Sequence, residues 1–210
     1  AVDARREAVL APVTEAGAWQ ALEFRRIRPN VVEFSSAGTR IRVDSSASPL
    51  IFPLPSPLKL SRVRARVRVR GALDGSPRPG VWDEDSQFRL GLVVSGDRRL
   101  EGFSRALAPA WVKKLFSLAP EGGGVSRIVF LMLGRAPAKA GERRVHPSSE
   151  LLEERVAWVA DGTGGSRLLE ADLEPMDAVV ALWLSIDGDA TGSKYEVLVE
   201  SIELHPRLPS

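Results

Sequence analysis

The longest strictly alternating stretch of the chain is Arg62-Val63-Arg64-Ala65-Arg66-Val67-Arg68-Val69-Arg70. Successive side chains of a strand point to opposite faces, so this spacing predicts five guanidinium groups on one face and an apolar set on the other. In a helix the same order would scatter charge around the whole cylinder. Shorter segments of strand character recur between turn residues, at 22–24, 31–34, 39–43, 50–54, 86–94, 155–160 and 194–204. Two more, 128–133 and 178–186, are apolar on both parities. Strands of that kind are expected where both faces of a sheet are covered, here by a facing sheet and by a helix or long loop.

Helical signals are few. Trp111, Val112, Leu115 and Phe116 follow Pro109 at helical spacing and predict one short helix over 109–118, ended by the glycines after Glu121. A second short helical turn is expected around residues 5–10, within an N-terminal lead-in over 1–18. Loops are expected at 44–48, 71–80 and 136–149. About ten short strands without βαβ alternation predict a mainly β chain, a two-sheet antiparallel sandwich of jelly-roll type with one short helix. Residues 19–210 form its single domain.

Composition narrows the chemistry. With 210 residues, 44% of them hydrophobic, the chain can bury a sizeable core without covalent staples. It has no cysteine, which removes disulfides, thiol catalysis and cysteine zinc sites. Lys and Arg number 29 against 27 Asp and Glu, for a net charge of +2, so no nucleic-acid partner is expected. No run reaches the roughly 18 apolar residues of a membrane-spanning helix.

Three clusters could carry function. Trp82-Asp83-Glu84-Asp85 precedes a predicted strand and joins an aromatic ring to three acids. Rings stack on the apolar faces of sugars and carboxylates accept their hydroxyl hydrogens, so Trp82, Asp83, Asp85 and Arg89 form a candidate ligand site. The bland alternative is a charged loop with a tucked tryptophan; Trp183, inside an apolar strand, reads as core. Asp187-Gly188-Asp189-Ala190-Thr191-Gly192 resembles the first half of a calcium loop, which makes Asp187, Asp189 and Thr191 candidate calcium ligands. The twelfth position is Leu198, so a complete EF-hand is excluded, and Asp83 or Asp85 would have to complete the shell. Without calcium, the segment is an Asp/Gly turn between strands. The face made by Arg62, Arg64, Arg66, Arg68 and Arg70 is either an anion-binding surface or a solvated one paired with acids such as Glu196, Glu200 or Glu203.

Evidence for catalysis is thin. His146 and His205 each precede a proline, and two histidines without cysteine do not make a zinc site. Ser148 and Ser149 are neighbours of His146 in sequence, which is not triad geometry. There is no Gly-x-Ser-x-Gly elbow and no Walker A loop, and Gly122-Gly123-Gly124 lacks the lysine of a phosphate cradle.

Four short motifs occur in order: Ile27-Arg28-Pro29-Asn30, Ser46-Ala47-Ser48-Pro49-Leu50, Asp83-Glu84-Asp85-Ser86-Gln87-Phe88-Arg89 and Ile186–Gly192. On these the chain resembles a family of predicted bacterial envelope proteins of uncharacterised function. The resemblance implies a jelly-roll sandwich similar to carbohydrate-binding modules. It also implies an exported, periplasmic or secreted protein whose signal peptide has been removed. The chain departs from the family's pattern at 136–149 and at Val199-Glu200-Ser201-Ile202, where the family favours a Gly-Asp pair. The expectation is a non-catalytic binding or structural module of the envelope with a glycan ligand. A glycan hydrolase using paired carboxylates and an interaction subunit binding a protein through the arginine face are the alternatives.

Overall fold

The computed structural model describes residues 7–76, 82–160 and 165–208, and of Phe103 the backbone alone. Its strands are β1 (Val9–Leu10), β2 (Gln20–Ala21), β3 (Val31–Ser35), β4 (Gly38–Asp44), β5 (Leu50–Leu58), β6 (Leu60–Arg70), β7 (Arg89–Gly96), β8 (Gly124–Arg135), β9 (Arg143–His146), β10 (Ser149–Ala160), β11 (Gly165–Asp172), β12 (Val179–Ser185) and β13 (Lys194–Pro206). Helices α1 (Gly102–Leu107) and α2 (Ala110–Ser117) lie between β7 and β8. One sheet runs β11-β6-β13-β4-β3 with β1 also on β13; the other runs β2-β5-β12-β7-β8-β10-β9. The chain is a two-sheet β-sandwich, as its periodicity predicts.

The alternating strand β6 behaves as expected. Val63, Ala65 and Val67 are fully buried between the sheets, where they meet Leu90, Leu92, Val129, Leu182 and Leu184 of the facing sheet's inner side. Each fully buried Val or Leu side chain contributes roughly 1.5–3 kcal/mol. The doubly apolar strands β8 and β12 are central, and their other parity builds a second cluster. Ile128, Phe130, Met132, Val180 and Trp183 pack there with Leu115 of α2. A helix over the outer face of the seven-stranded sheet is therefore the reason those two strands have no polar side.

Several elements differ from expectation, each for a tertiary reason. Residues 9–10 are not helical but form β1, pairing Val9 with Leu204 and Leu10 with Glu203. β4 covers β13 only over residues 194–199, which leaves that edge open for β1; residues 5–6 of the expected helical turn lie outside the described residues, as do 77–80 of the 71–80 loop. The lead-in is stitched to the sandwich, with its Ala11 and Val13 in the core alongside Trp19. The strand expected at 22–24 is instead the short β2 just before it. Two α-helices stand where one was expected. The seven-stranded sheet is mixed, because β10 runs parallel to β8. Within the expected loop 136–149, β9 carries the chain back along the far edge, and β10 then inserts between β9 and β8. β11 was not foreseen: of its two leucines Leu169 is buried and Leu168 exposed, and a single inward leucine makes a faint pattern.

Candidate functional site

β7 begins where β12 ends: Arg89 is level with Ser185 on one side and Met132 on the other. The segments leading into β7 and out of β12 therefore share one end of the sheet. The four sequence motifs converge there. Asn30 accepts a hydrogen bond from Ser46 Oγ at 2.7 Å, donates through Nδ2 to the Ile186 carbonyl at 2.8 Å, and its backbone N–H donates to Ser48 Oγ at 2.9 Å. Gly188 N–H donates to the Ser46 carbonyl (3.0 Å) and Asp187 N–H to the Ser86 carbonyl (3.1 Å). The Tyr195 hydroxyl lies 2.7 Å from the Asp187 carbonyl and 3.2 Å from that of Ser86. Burial, together with the nearby carboxylates of Asp187 and Asp85, pushes this phenol well above its usual range and keeps it a donor. Segments distant in sequence are thus fixed to one another by a buried, partnered polar network.

The 187–192 turn is closed by Asp85, a buried residue. Its carboxylate accepts hydrogen bonds from Thr191 N–H (2.7 Å), Thr191 Oγ1 (2.6 Å) and Ala190 N–H (3.3 Å). Gly192 adopts φ +71°, a left-handed conformation for which glycine is suited. Arg89, whose side chain is 11% exposed, places Nη1 3.3 Å from Asp187 Oδ2 and Nη2 3.9 Å from Glu154 Oε1. Nη2 also donates to the Glu84 carbonyl at 2.9 Å, and the guanidinium carbon stands 5.7 Å from the Phe130 ring centroid. Among the described residues the buried Nε of Arg89 has no acceptor. Asp187 titrates at about 6, well above an ordinary aspartate, because burial outweighs the attraction of Arg89 and the neighbouring carboxylates repel. Burial and then Asp85 raise Asp189 in the same direction.

Beside this network the outer face of the seven-stranded sheet opens into a groove of about 390 Å³. One cross-strand row lies through it: Ile51, Trp183, Gly91, Phe130, Glu154 and Arg144 are successive register partners from β5 to β9. Gly91 leaves the middle of the row without a side chain. A Cβ there would stand 2.7 Å from Ile128 Cγ2 and 2.8 Å from Phe130 Cε1, so the Phe130 ring occupies the space over β7. Trp111, Ile128, Phe130 and Trp183 give the groove its apolar surface, and Glu84, Asp85, Glu154, Asp187 and Asp189 supply carboxylates around the single arginine Arg89. His146 and Ser148 also line it; Ser148 Oγ and N–H both approach His146 Nδ1, at 2.7 and 3.2 Å, a local turn without a third member.

Of the ligand residues expected from sequence, Asp85 and Arg89 come together with the 187–191 turn. Asp83 and Trp82 do not join them. Asp83 is held by Arg135 through bonds of 2.8 and 3.0 Å, and the Trp82 ring lies beneath Arg144, whose guanidinium carbon is 4.8 Å from its centroid. Trp183 packs in the outer apolar cluster, 3% exposed, yet borders the groove. Glu154 and Phe130 were not singled out in sequence. The signal was present for Glu154, an acid at the outward parity of a strand beside one with two apolar faces.

Among the described residues no group of three or more His, Asp or Glu side chains is gathered as a metal site. Thr191 Oγ1 donates to Asp85 Oδ2 at 2.6 Å, so as a calcium ligand it would offer a lone pair while keeping that bond. On the arginine face, Arg62 and Arg64 pair with Glu170, Arg62 also with Asp172 (2.7 Å), and Arg68 with Glu200 (2.8 Å). Arg66 is level with Leu168 and Ser201, and Arg70 with Glu196.

No family model matches the chain, and no curated protein matches it. Among solved structures it is similar to the xylan-binding module CBM15, at 10% identity and a TM-score of 0.41, over 97% of this chain and 98% of that one. It is also similar to part of the arabinose-bound α-L-arabinofuranosidase MgGH51 (10% identity, TM-score 0.38, 99% of this chain and 28% of that one). An exo-β-agarase gives 11% identity and a TM-score of 0.37, over 98% of this chain and 26% of that one. At such low identity, the groove of this chain has to be judged on its own chemistry.

Proposed function

We propose that the domain is a non-catalytic module that holds a glycan chain in the groove on the outer face of its seven-stranded sheet. The observation that carries this reading is the combination of an apolar, aromatic surface with carboxylates and one arginine in a cleft of about 390 Å³. Cavities of this size suit small ligands, and sugars need both an apolar platform and acceptors for their hydroxyls. Trp111 is the ring best placed to stack, being half-buried on α2 where Trp183 and Phe130 are nearly closed off. The fixed network beneath the groove supports binding with little rearrangement, because ordering costs are met on folding. Action in the bacterial cell envelope, periplasmic or secreted, is part of the proposal and rests on the four ordered motifs. The test is affinity electrophoresis on a panel of neutral and charged polysaccharides. Retardation of the wild type that is lost in Trp111→Ala, with unfolding still cooperative, supports it; no retardation on any member overturns it.

Hydrolysis is the second reading, favoured by one observation: Asp187 holds its proton up to about pH 6 beside a second buried carboxylate, Glu154. Release of reducing sugar that disappears in both Asp187→Asn and Glu154→Gln would replace binding by catalysis.

A further inference from the structure

The charge of the groove is lopsided, and this bears on which glycans it takes. Glu84, Asp85, Glu154, Asp187 and Asp189 border it, against Arg89 alone. Two of the five carboxylates have a cation beside them: Asp187 has Arg89, and Glu154 has Arg144 and, more distantly, Arg89. Asp85 is satisfied by the turn's hydrogen-bond donors and has no cationic partner. Among the described residues Glu84 and Asp189 form no ion pair either, and Arg89 acts on Asp189 only from a distance. Three carboxylates are therefore left without an ion-pair partner around an apolar floor, where water screens less than in bulk. The carboxylates already burden one another: Asp85 and Glu84 both raise Asp189, after burial.

Such a cleft rejects uronate and sulfate groups, which would add like charge to a partly desolvated site. A neutral sugar leaves the imbalance in place. A protonated amino group reduces it, and an ammonium donates up to three charge-assisted hydrogen bonds to carboxylate oxygens. We infer that the groove takes a glycan bearing free amino groups, a chain of amino sugars that are not N-acylated, with Asp189 and Glu84 as the carboxylates that meet the ammonium. This rests on the glycan-binding reading and specifies its ligand.

The experiment is calorimetric titration of the whole chain, in EDTA to exclude bridging metal, at a pH where sugar amines are protonated. The probes are β-linked glucosamine oligomers, their fully N-acetylated counterparts, glucose oligomers of the same length and galacturonate oligomers. The expected result is binding of the amine oligomer about tenfold or more tighter than its acetylated counterpart, weakening as salt rises, with no galacturonate binding. Asp189→Asn and Glu84→Gln should each cut affinity for the amine oligomer by a larger factor than for the acetylated one. Equal or tighter binding of acetylated or glucose oligomers, or any preference for galacturonate, overturns this inference and leaves the glycan-binding reading standing. Binding of none of the four overturns both.

Discussion

Both carboxylate oxygens of Asp85 are engaged by the 187–192 turn, one of them by the backbone and the hydroxyl of Thr191 together, at 2.7 and 2.6 Å. The two residues are 106 positions apart, and their bond ties the entry to β7 to the exit from β12. Arg89, four residues after Asp85, then reaches Asp187. This link is one of several that fix the wall of the groove.

Removing it should be costly. Asp85→Ala removes the acceptor of two backbone N–H groups and of the Thr191 hydroxyl at a half-buried place, where only the hydroxyl has a second contact, Ser193 Oγ. The expected loss is about 3 kcal/mol in urea unfolding. Thr191→Val, which keeps the backbone bonds, should lose about 1 kcal/mol, and the double variant should fall short of the sum of the two. Additive losses would show that the two residues act separately.

Asp187 predicts a pH dependence. Its carboxyl titrates at about 6 in the folded chain against an ordinary 3.8. The folded state therefore holds a proton that the unfolded state releases between those values. The resulting stabilisation is complete below about pH 3.8 and is lost as pH rises through about 6. Asp187→Asn is neutral throughout and lacks this dependence. From about pH 4 to about pH 7 the stability difference should shift towards the variant, by at most about 3 kcal/mol. A difference that stays flat over that range would mean that Asp187 titrates normally.

Gly91 leaves the space over β7 to the ring of Phe130, which lines the groove. An added methyl group would meet Ile128 and Phe130 inside ordinary contact distance. Gly91→Ala is expected to destabilise by about 1–3 kcal/mol and to weaken glycan binding as Phe130 is displaced. Unchanged thermal unfolding together with unchanged binding would show that the ring has room to move.

The arginine face should matter little to stability. Arg62, Arg64 and Arg68 are each more than a third exposed and already paired with acids. Changing each to Gln should leave the unfolding midpoint almost unchanged, the more so in high salt. A larger, salt-insensitive loss in any of the three would point to a packing role for its aliphatic stem.

Calcium at the 187–192 turn competes with a turn that is already closed. About 1 mM calcium should move the unfolding midpoint by less than about 1 °C relative to EDTA. A rise of several degrees, abolished in Asp189→Ala, would show that the turn accepts the ion.

The period of two in residues 62–70 determined β6, which face of it is core, and where its arginines lie, because alternation is a property of the strand itself. The doubly apolar runs at 128–133 and 178–186 determined that two central strands needed cover on both faces, and Pro109 with its spaced apolar residues located the helix that supplies it. Two sheets follow from these local patterns. Tertiary structure alone decided the parallel pairing of β8 with β10, the capture of residues 9–10 by the open edge of β13, and the course of β9 through an expected loop. Each depends on which strand edge is free, and edges belong to the assembled sheet. The site divides in the same way. Acids and an arginine could be read at 83–89 and at 187–191, but Asp85 and Arg89 reach the turn while Asp83 turns to Arg135 and Trp82 to Arg144, because charges take the partners that the fold brings within reach.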